Sequence, residues 1–255
     1  DAGAPFHTGH PAGGRILADG AGPDMIGITG DLILDGRVLL PDLALDCPPG
    51  RWTALMGPSG VGKSTLGRIV AGLPVAARLA GAVDIGVPVT LMGQQDQLLP
   101  WANALANVII GARLRGQAPD RARARALLAD LGLAGLEARR PAQLSGGQRQ
   151  RVALARTLIE DRPVVVLDEP FSALDAATRA QMQDLAARHL AGRTVILITH
   201  DPLEAARLCH AAFLLDARGT RPLPLPATPT PRALDDPQVL AAQTALFRSL
   251  MPCAA

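Results

Sequence analysis

The run Gly57-Pro58-Ser59-Gly60-Val61-Gly62-Lys63-Ser64 reads G-x-x-x-x-G-K-S. The apolar segment 52–56 precedes it, and the helix-spaced stretch STLGRIVA follows at once. Few folds accommodate that succession: a buried strand must stop, the backbone must curl through glycines, and a helix must begin at the lysine. Gly60 and Gly62 let successive N–H groups point inward at one anion. The new helix adds donors and a favourable dipole, Lys63 a mobile positive charge, and Ser64 a hydroxyl suited to a divalent cation, with Thr65 in the same turn. An ordinary Gly/Ser surface turn has no need of a Lys-Ser pair between strand and helix. The loop predicts phosphate binding at the edge of an α/β sheet.

The rest of the chain supplies such a sheet. Segments 26–34 and 38–45 read as strands before the loop, and 83–85 and 87–92 as strands after its helix. Segments 102–114 and 120–131 have helical spacing and predict a small helical unit, about 97–146, inserted between strands of the main sheet. Helix 147–159, strand 164–167, helix 176–190, strand 194–199, helix 202–209 and strand 212–215 then alternate. Apolar strands alternating with helices imply a parallel sheet covered on both faces. Residues 1–24 read as a flexible extension without an apolar signal segment or an Arg-rich transit pattern. Segment 217–232, rich in Pro, Thr and Arg, reads as a linker, and 234–250 as a short final helix within 217–255.

Further polar groups stand where the strands end. Asp168 closes the apolar run Val164-Val165-Val166-Leu167, which would deliver its carboxylate to the mouth of the sheet to hold Mg²⁺, directly or through water. Glu169 follows and is the best group to polarise an attacking water. His200 ends the strand VILIT beside it and is placed to sense a terminal phosphate. Gln94 follows strand 87–92, where its amide can reach the metal or the water; Gln95 competes for that role. Leu144-Ser145-Gly146-Gly147-Gln148 opens a helix and forms a second anion-binding terminus. One chain with two such termini predicts a head-to-tail, two-fold pair with two nucleotides between the copies. Asp175, in the Ser172-Ala173-Leu174-Asp175 turn, would connect the two sites.

Composition excludes more than it assigns. A net charge of +2 and only six aromatic residues, four Phe and two Trp, argue against nucleic acid as a partner. Cys47, Cys209 and Cys253 have no metal or redox spacing and fit small buried residues in a reducing compartment. No apolar run reaches the ~20 residues needed to span a bilayer. Arg121, Arg123, Arg125, Arg149 and Arg151 read mostly as solvated helix faces. His7 and His10 lie in the extension and do not suggest a metal site.

These motifs resemble the ATP-binding subunits of ABC transporters over roughly residues 26–216. In that family GPSGVGKS is the Walker A loop, LSGGQ the signature, VVVLDE the Walker B segment, SALD the D-loop, Gln94 the Q-loop glutamine and His200 the switch histidine. The resemblance implies an α/β fold: a P-loop NTPase core with a mostly parallel sheet, an N-terminal antiparallel β subdomain and an inserted helical subdomain, all within 25–216. It also implies ATP and Mg²⁺ as ligands. A narrower similarity, LLPWANALANV at 98–108, is to importers of the nitrate/sulfonate/taurine group, which includes thiamine-precursor transporters. One departure stands out: the family has an adenine-stacking aromatic near position 34, where this chain has Leu34.

The resemblance therefore implies a transport ATPase. Its partners would be a second copy of itself, integral membrane permease subunits gripped by helices 102–131, and an extracytoplasmic solute-binding protein acting through the permease. Its place would be the cytoplasmic face of the bacterial cell membrane, as a peripheral protein. Alternatives are an exporter or lipid-extraction ATPase and a soluble ATP-dependent clamp or regulator. A catalytically dead scaffold conflicts with the filled catalytic positions.

Overall fold

A computed structural model describes residues 26–251; the expected extension 1–24 and Cys253 lie outside the described residues. Strands β1 (Ile26–Leu34) and β2 (Arg37–Cys47) form a hairpin in which Leu34 pairs with Arg37. Asp35 and Gly36 make the two-residue turn at φ 49° and 75°. Positive φ at both central positions matches the right-handed twist of the strands, which is why Asp-Gly suits this link. Strand β4 (Arg78–Asp84) pairs on the other side of β1, giving an antiparallel sheet in the order β2-β1-β4. The strand expected at 83–85 thus begins earlier. Gly30, at φ 112°, lets β4 approach, because a Cβ there would lie 2.3 Å from the Ala80 carbonyl oxygen.

The second sheet contains β3 (Trp52–Met56), β5 (Val89–Met92), β6 (Val164–Asp168), β7 (Thr194–Ile198), β8 (Ala211–Asp216) and β9 (Gly219–Leu223). Their order is β5-β6-β7-β3-β8-β9, parallel except for the β8–β9 hairpin. Every residue of β3, β6 and β7 is buried, as continuous apolar runs require. The period of two sorts them into two cores. Val165 and Leu167 face a core built with the helices that follow; Val164 and Val166 face the antiparallel sheet and helix α1 (Lys63–Val70). Each fully buried Val or Leu stabilises by roughly 1.5–3 kcal/mol.

The expected insert is helical but shorter in its parts: α2 (Ala104–Val108), α3 (Ile110–Leu114) and α4 (Arg121–Asp130). The break within 102–114 falls at Ile109, in a β-branched run that helices tolerate less well than straight chains. Asn103 and Asp120 cap α2 and α4 by accepting from the N–H groups of Ala106 and Arg123. The remaining helices are α5 (Gly146–Leu158), α6 (Ala176–His189), α7 (Pro202–Leu208) and α8 (Pro237–Leu250). Among the described residues no helix is long and apolar enough to cross a membrane.

Segment 217–232 is not a loose linker. It contains β9, whose Pro222 is tolerated because β9 is the edge strand of its sheet. Arg232 is buried and donates to the carbonyls of Ala206 (2.6 Å), Cys209 (2.8 Å), Thr228 (3.1 Å) and Pro226. The expected helix at 234–250 is α8, seated on α7 through its buried Val239 and Leu246. Cys47 and Cys209 are buried; burial pushes the Cys47 thiol up to about 12.

Candidate active site

Because β5, β6, β7 and β3 are adjacent and parallel, four strand ends open on one edge of the sheet. Gln94 lies two residues beyond β5, Asp168 closes β6, His200 lies two residues beyond β7, and Gly57 follows β3. Such edges, outside the carboxyl ends of strands, are where open α/β sheets bind ligands.

The phosphate loop is held in a conformation that side chains would resist. Gly57, Gly60 and Gly62 have φ of 146°, 80° and 105°, and a Cβ on Gly57 would meet the Leu215 carbonyl oxygen at 2.2 Å. Lys63 is largely buried and donates to the carbonyls of Gly57 and Pro58, both at 2.8 Å. An ammonium has three donors, so one remains for an anion. Burial lowers the Lys63 pKa, while Glu169 and Asp168 act to raise it. Asp168 moves in the opposite direction: burial raises its pKa, and the Ser64 hydroxyl bonded to it and Lys63 act to lower it. Each charge is held in a place that penalises it, and a triphosphate with a divalent cation supplies the opposite charge to both. The Ser64 hydroxyl and Asp168 carboxylate are paired hard oxygen donors. They fit Mg²⁺, which takes one or two carboxylates and completes its shell from phosphates and water. Among the described residues no group of three or more His, Cys, Asp or Glu could hold a metal without such help.

Glu169 sits where three strand ends meet. Its N–H donates to the Ile198 carbonyl (2.9 Å), Gln94 Nε2 donates to its Oε2 (3.4 Å), and its Oε1 is 3.1 Å from His200 Nδ1. A carboxylate only accepts, so the Nδ1 proton points at Glu169 in this contact. Gln95 makes no such bond, which decides between the two glutamines for contact with the acid. Glu169 has φ 49°, a left-handed conformation that costs a non-glycine residue ~1–3 kcal/mol.

Ser145 caps α5 through a reciprocal capping box: its Oγ accepts from Gln148 N–H (3.2 Å), and its N–H donates to Gln148 Oε1 (2.8 Å). Gly146 and Gly147 form the first turn, which carries no acidic residue. Gly147 is tight against the D-loop, since a Cβ there would be 3.1 Å from Leu174 Cδ2. Asp175 caps α6 by accepting from Thr178 N–H (3.0 Å), and that bond holds its carboxyl below the usual range. Between the start of α5 and residues 92–97 lies an open cleft of about 410 Å³.

The family model that describes ABC transporters matches residues 40–172. The chain belongs to the ABC transporter family. It is 46% identical to the aliphatic sulfonates import ATP-binding protein SsuB 1 of Rhodococcus jostii, covering 90% of this chain and 94% of that protein. It is also 41% identical to an ABC transporter ATP-binding protein of Haemophilus influenzae, over 78% of this chain and 85% of that one. Among solved structures, the dimeric cassette MJ0796 in a post-hydrolysis state bound to ADP and Pi superimposes with a TM-score of 0.68. That pair is 28% identical, covering 82% of this chain and 99% of the cassette. The chain is accordingly an ATPase, the nucleotide-binding subunit of a bacterial ABC importer.

In this ABC ATPase one sequence expectation needs correction. Arg149 and Arg151 are not simply solvated. Arg149 pairs with Asp96 (2.9 Å) and donates to the Leu144 carbonyl (2.9 Å), and Arg151 donates to the Leu131 carbonyl (3.0 Å), fastening the signature helix to the insert. Arg121, Arg123 and Arg125 are exposed, as expected. Leu34 packs half-buried on the core beneath the antiparallel sheet. Three polar residues near the site escaped notice: Gln150, Arg179 and Glu204. Two of them have a legible signal. Gln150 lies on the stripe shared by the buried Leu154, Thr157 and Leu158, and Glu204 shares a face with the buried Leu208; a polar residue on a core stripe demands a partner.

Proposed function

We propose that the strand-end cluster is the hydrolytic centre and that it divides the work as follows. The N–H groups of residues 57–65 and Lys63 hold the β- and γ-phosphates. Ser64 and Asp168, with Gln94 alongside, would hold Mg²⁺, which when bound offsets charge on the phosphate oxygens. Glu169 orients a water toward the γ-phosphorus and accepts its proton. His200 and Gln94 keep that carboxylate aimed and line the γ-phosphate position. Ser145, Gly146, Gly147 and Gln148 cap the nucleotide held by the second copy, and Asp175 lies at the seam between copies. The observation that supports this reading best is the convergence of Gln94, Glu169 and His200, from three strands, on one hydrogen-bonded array.

The test is Glu169→Gln. Hydrolysis should fall by roughly 10²–10³-fold, typical of losing one preorganised group, while ATP-dependent dimerisation persists in light scattering. Undiminished hydrolysis would remove Glu169 from its role.

The cargo reading follows the relatives. We infer that the chain energises uptake of an aliphatic sulfonate, from the cytoplasmic face of the membrane, with a solute-binding protein delivering the anion to the permease. A strain lacking this chain should fail to grow on an alkanesulfonate as its sulfur source. Wild-type protein should restore growth and Glu169→Gln should not; growth on sulfonate without the chain would refute the assignment.

A further inference from the structure

Gln150 is buried, and both donors and the oxygen of its amide are bonded to one segment. Its Nε2 donates to the Glu169 carbonyl (3.0 Å) and to Ser172 Oγ (3.3 Å), and its Oε1 accepts from Ala173 N–H (3.0 Å). It therefore grips residues 169–173, the turn that begins at Glu169, from a position on the signature helix two residues beyond Gln148. The grip falls on the strained residue itself. Glu169 holds φ 49°, and such conformations persist only where their surroundings over-determine them. Beside the β7 bond to its N–H, the fixings on the Glu169 backbone are Ser172, from within the turn, and Gln150, from outside it.

We propose that Gln150 is a positioning residue that sets the aim of the Glu169 carboxylate according to where the signature helix sits. The inference rests on the reading of Glu169 as the hydrolytic acid and of Ser145–Gln148 as a cap on the other copy's nucleotide. Under that reading one helix serves two sites. Its N-terminus closes over the partner's nucleotide, and four residues into the helix the same rigid body holds this chain's own acid. Capping of one ATP thereby prepares hydrolysis of the other. A side chain that only stabilised the helix would have no need to direct both of its donors and its acceptor at the turn after Glu169.

The experiment exploits that cis–trans difference. Two differently tagged full-length copies are purified in tandem as heterodimers with Glu169→Gln on one copy, so that hydrolysis proceeds only with the other copy's Glu169. Adding Gln150→Leu to the copy that retains Glu169 should lower kcat roughly 10–100-fold, the penalty of an ångström-scale misplacement, with KM for ATP within about twofold. Adding it instead to the Glu169→Gln copy should leave the heterodimer's rate where it was, because the acid it aims is already gone. Loss of activity in that second arrangement would overturn the proposal and make Gln150 a support for the signature alone. Gln150→Glu, which keeps an acceptor for Ala173 and loses the donors to Glu169, should reproduce the first loss even where the leucine variant folds poorly. Full activity in Gln150→Glu would also overturn it. Ser145→Arg on the Glu169→Gln copy is the separate control: it should silence the remaining site in trans, and a normal rate there would refute the sandwich reading rather than the role of Gln150.

Discussion

Glu204 offers a stability test that can be worked from its surroundings. It is 4% exposed on α7 and accepts a 2.7 Å bond from the Thr199 hydroxyl. Burial pushes its carboxyl up to about 7, with Asp201 adding to the rise and Thr199, Arg179 and His200 opposing it. The folded value lies above the unfolded one, so the native state holds this proton more tightly. Its stabilising contribution is complete below the unfolded pKa of 4.5 and is lost as pH rises through 7. Glu204→Gln removes the ionisation and keeps an acceptor for Thr199. At pH 8 the variant should be more stable than wild type by about 3 kcal/mol, since the carboxyl is raised from 4.5 to about 7 and each pH unit between those values is worth about 1.36 kcal/mol. At pH 4.5 the two should nearly coincide. Urea denaturation at half-unit intervals from pH 4.5 to 8.5 measures the difference. Asp168 and His210 titrate alike in both proteins and cancel. A constant difference between the two curves across that range would refute the argument.

Asp168→Asn should abolish Mg²⁺-dependent hydrolysis yet raise the melting temperature at pH 8 without nucleotide, because burial opposes the Asp168 charge; calorimetry beside a phosphate-release assay checks both. Asn107 is fully buried, accepts from Leu99 N–H (2.7 Å) and donates to the carbonyls of Leu99, Ala102 and Asn103. Asn107→Ala should cost about 3 kcal/mol in chemical denaturation by stranding those groups. Gly67→Ala should destabilise by ~1–3 kcal/mol despite its better helix propensity, since its Cβ would meet Ile198 Cδ1 at 2.8 Å and Val166 Cγ1 at 3.1 Å. An unchanged denaturation midpoint in either variant would contradict the packing described.

The sequence makes the frame of the site legible because each piece announces itself locally. An apolar run followed by glycines and Lys-Ser can only be a strand meeting a helix, and Val164–Leu167 needs cover on both faces. What escapes a linear reading is pairing between distant segments. Pro222 argues against a strand until β9 is seen to be an edge, where no ladder bond is lost. Arg232 looks like one more charge in a proline-rich stretch, yet four carbonyls from 206 to 228 enclose it. Gln150 hides for the same reason: LSGGQ draws attention to the first Gln, whereas the second, on the buried stripe, finds its partners 19 to 23 residues away.

The places that oppose folding cluster at the chemistry. Lys63 and Asp168 carry charge where burial penalises it, Glu204 is pushed toward neutrality, and Glu169 is held left-handed. None of these is stabilising by itself. They persist because the strands delivering them are continuous apolar runs buried on both faces, each side chain contributing roughly 1.5–3 kcal/mol. That frame is rigid where the groups attached to it are not fully satisfied: His200 is exposed, Gln94 reaches Glu169 at 3.4 Å, and Lys63 keeps a donor in hand. Under the proposed function, nucleotide and a second copy would supply the missing partners together. On that reading, closure of the dimer would be favoured by the same groups whose isolation the single chain tolerates.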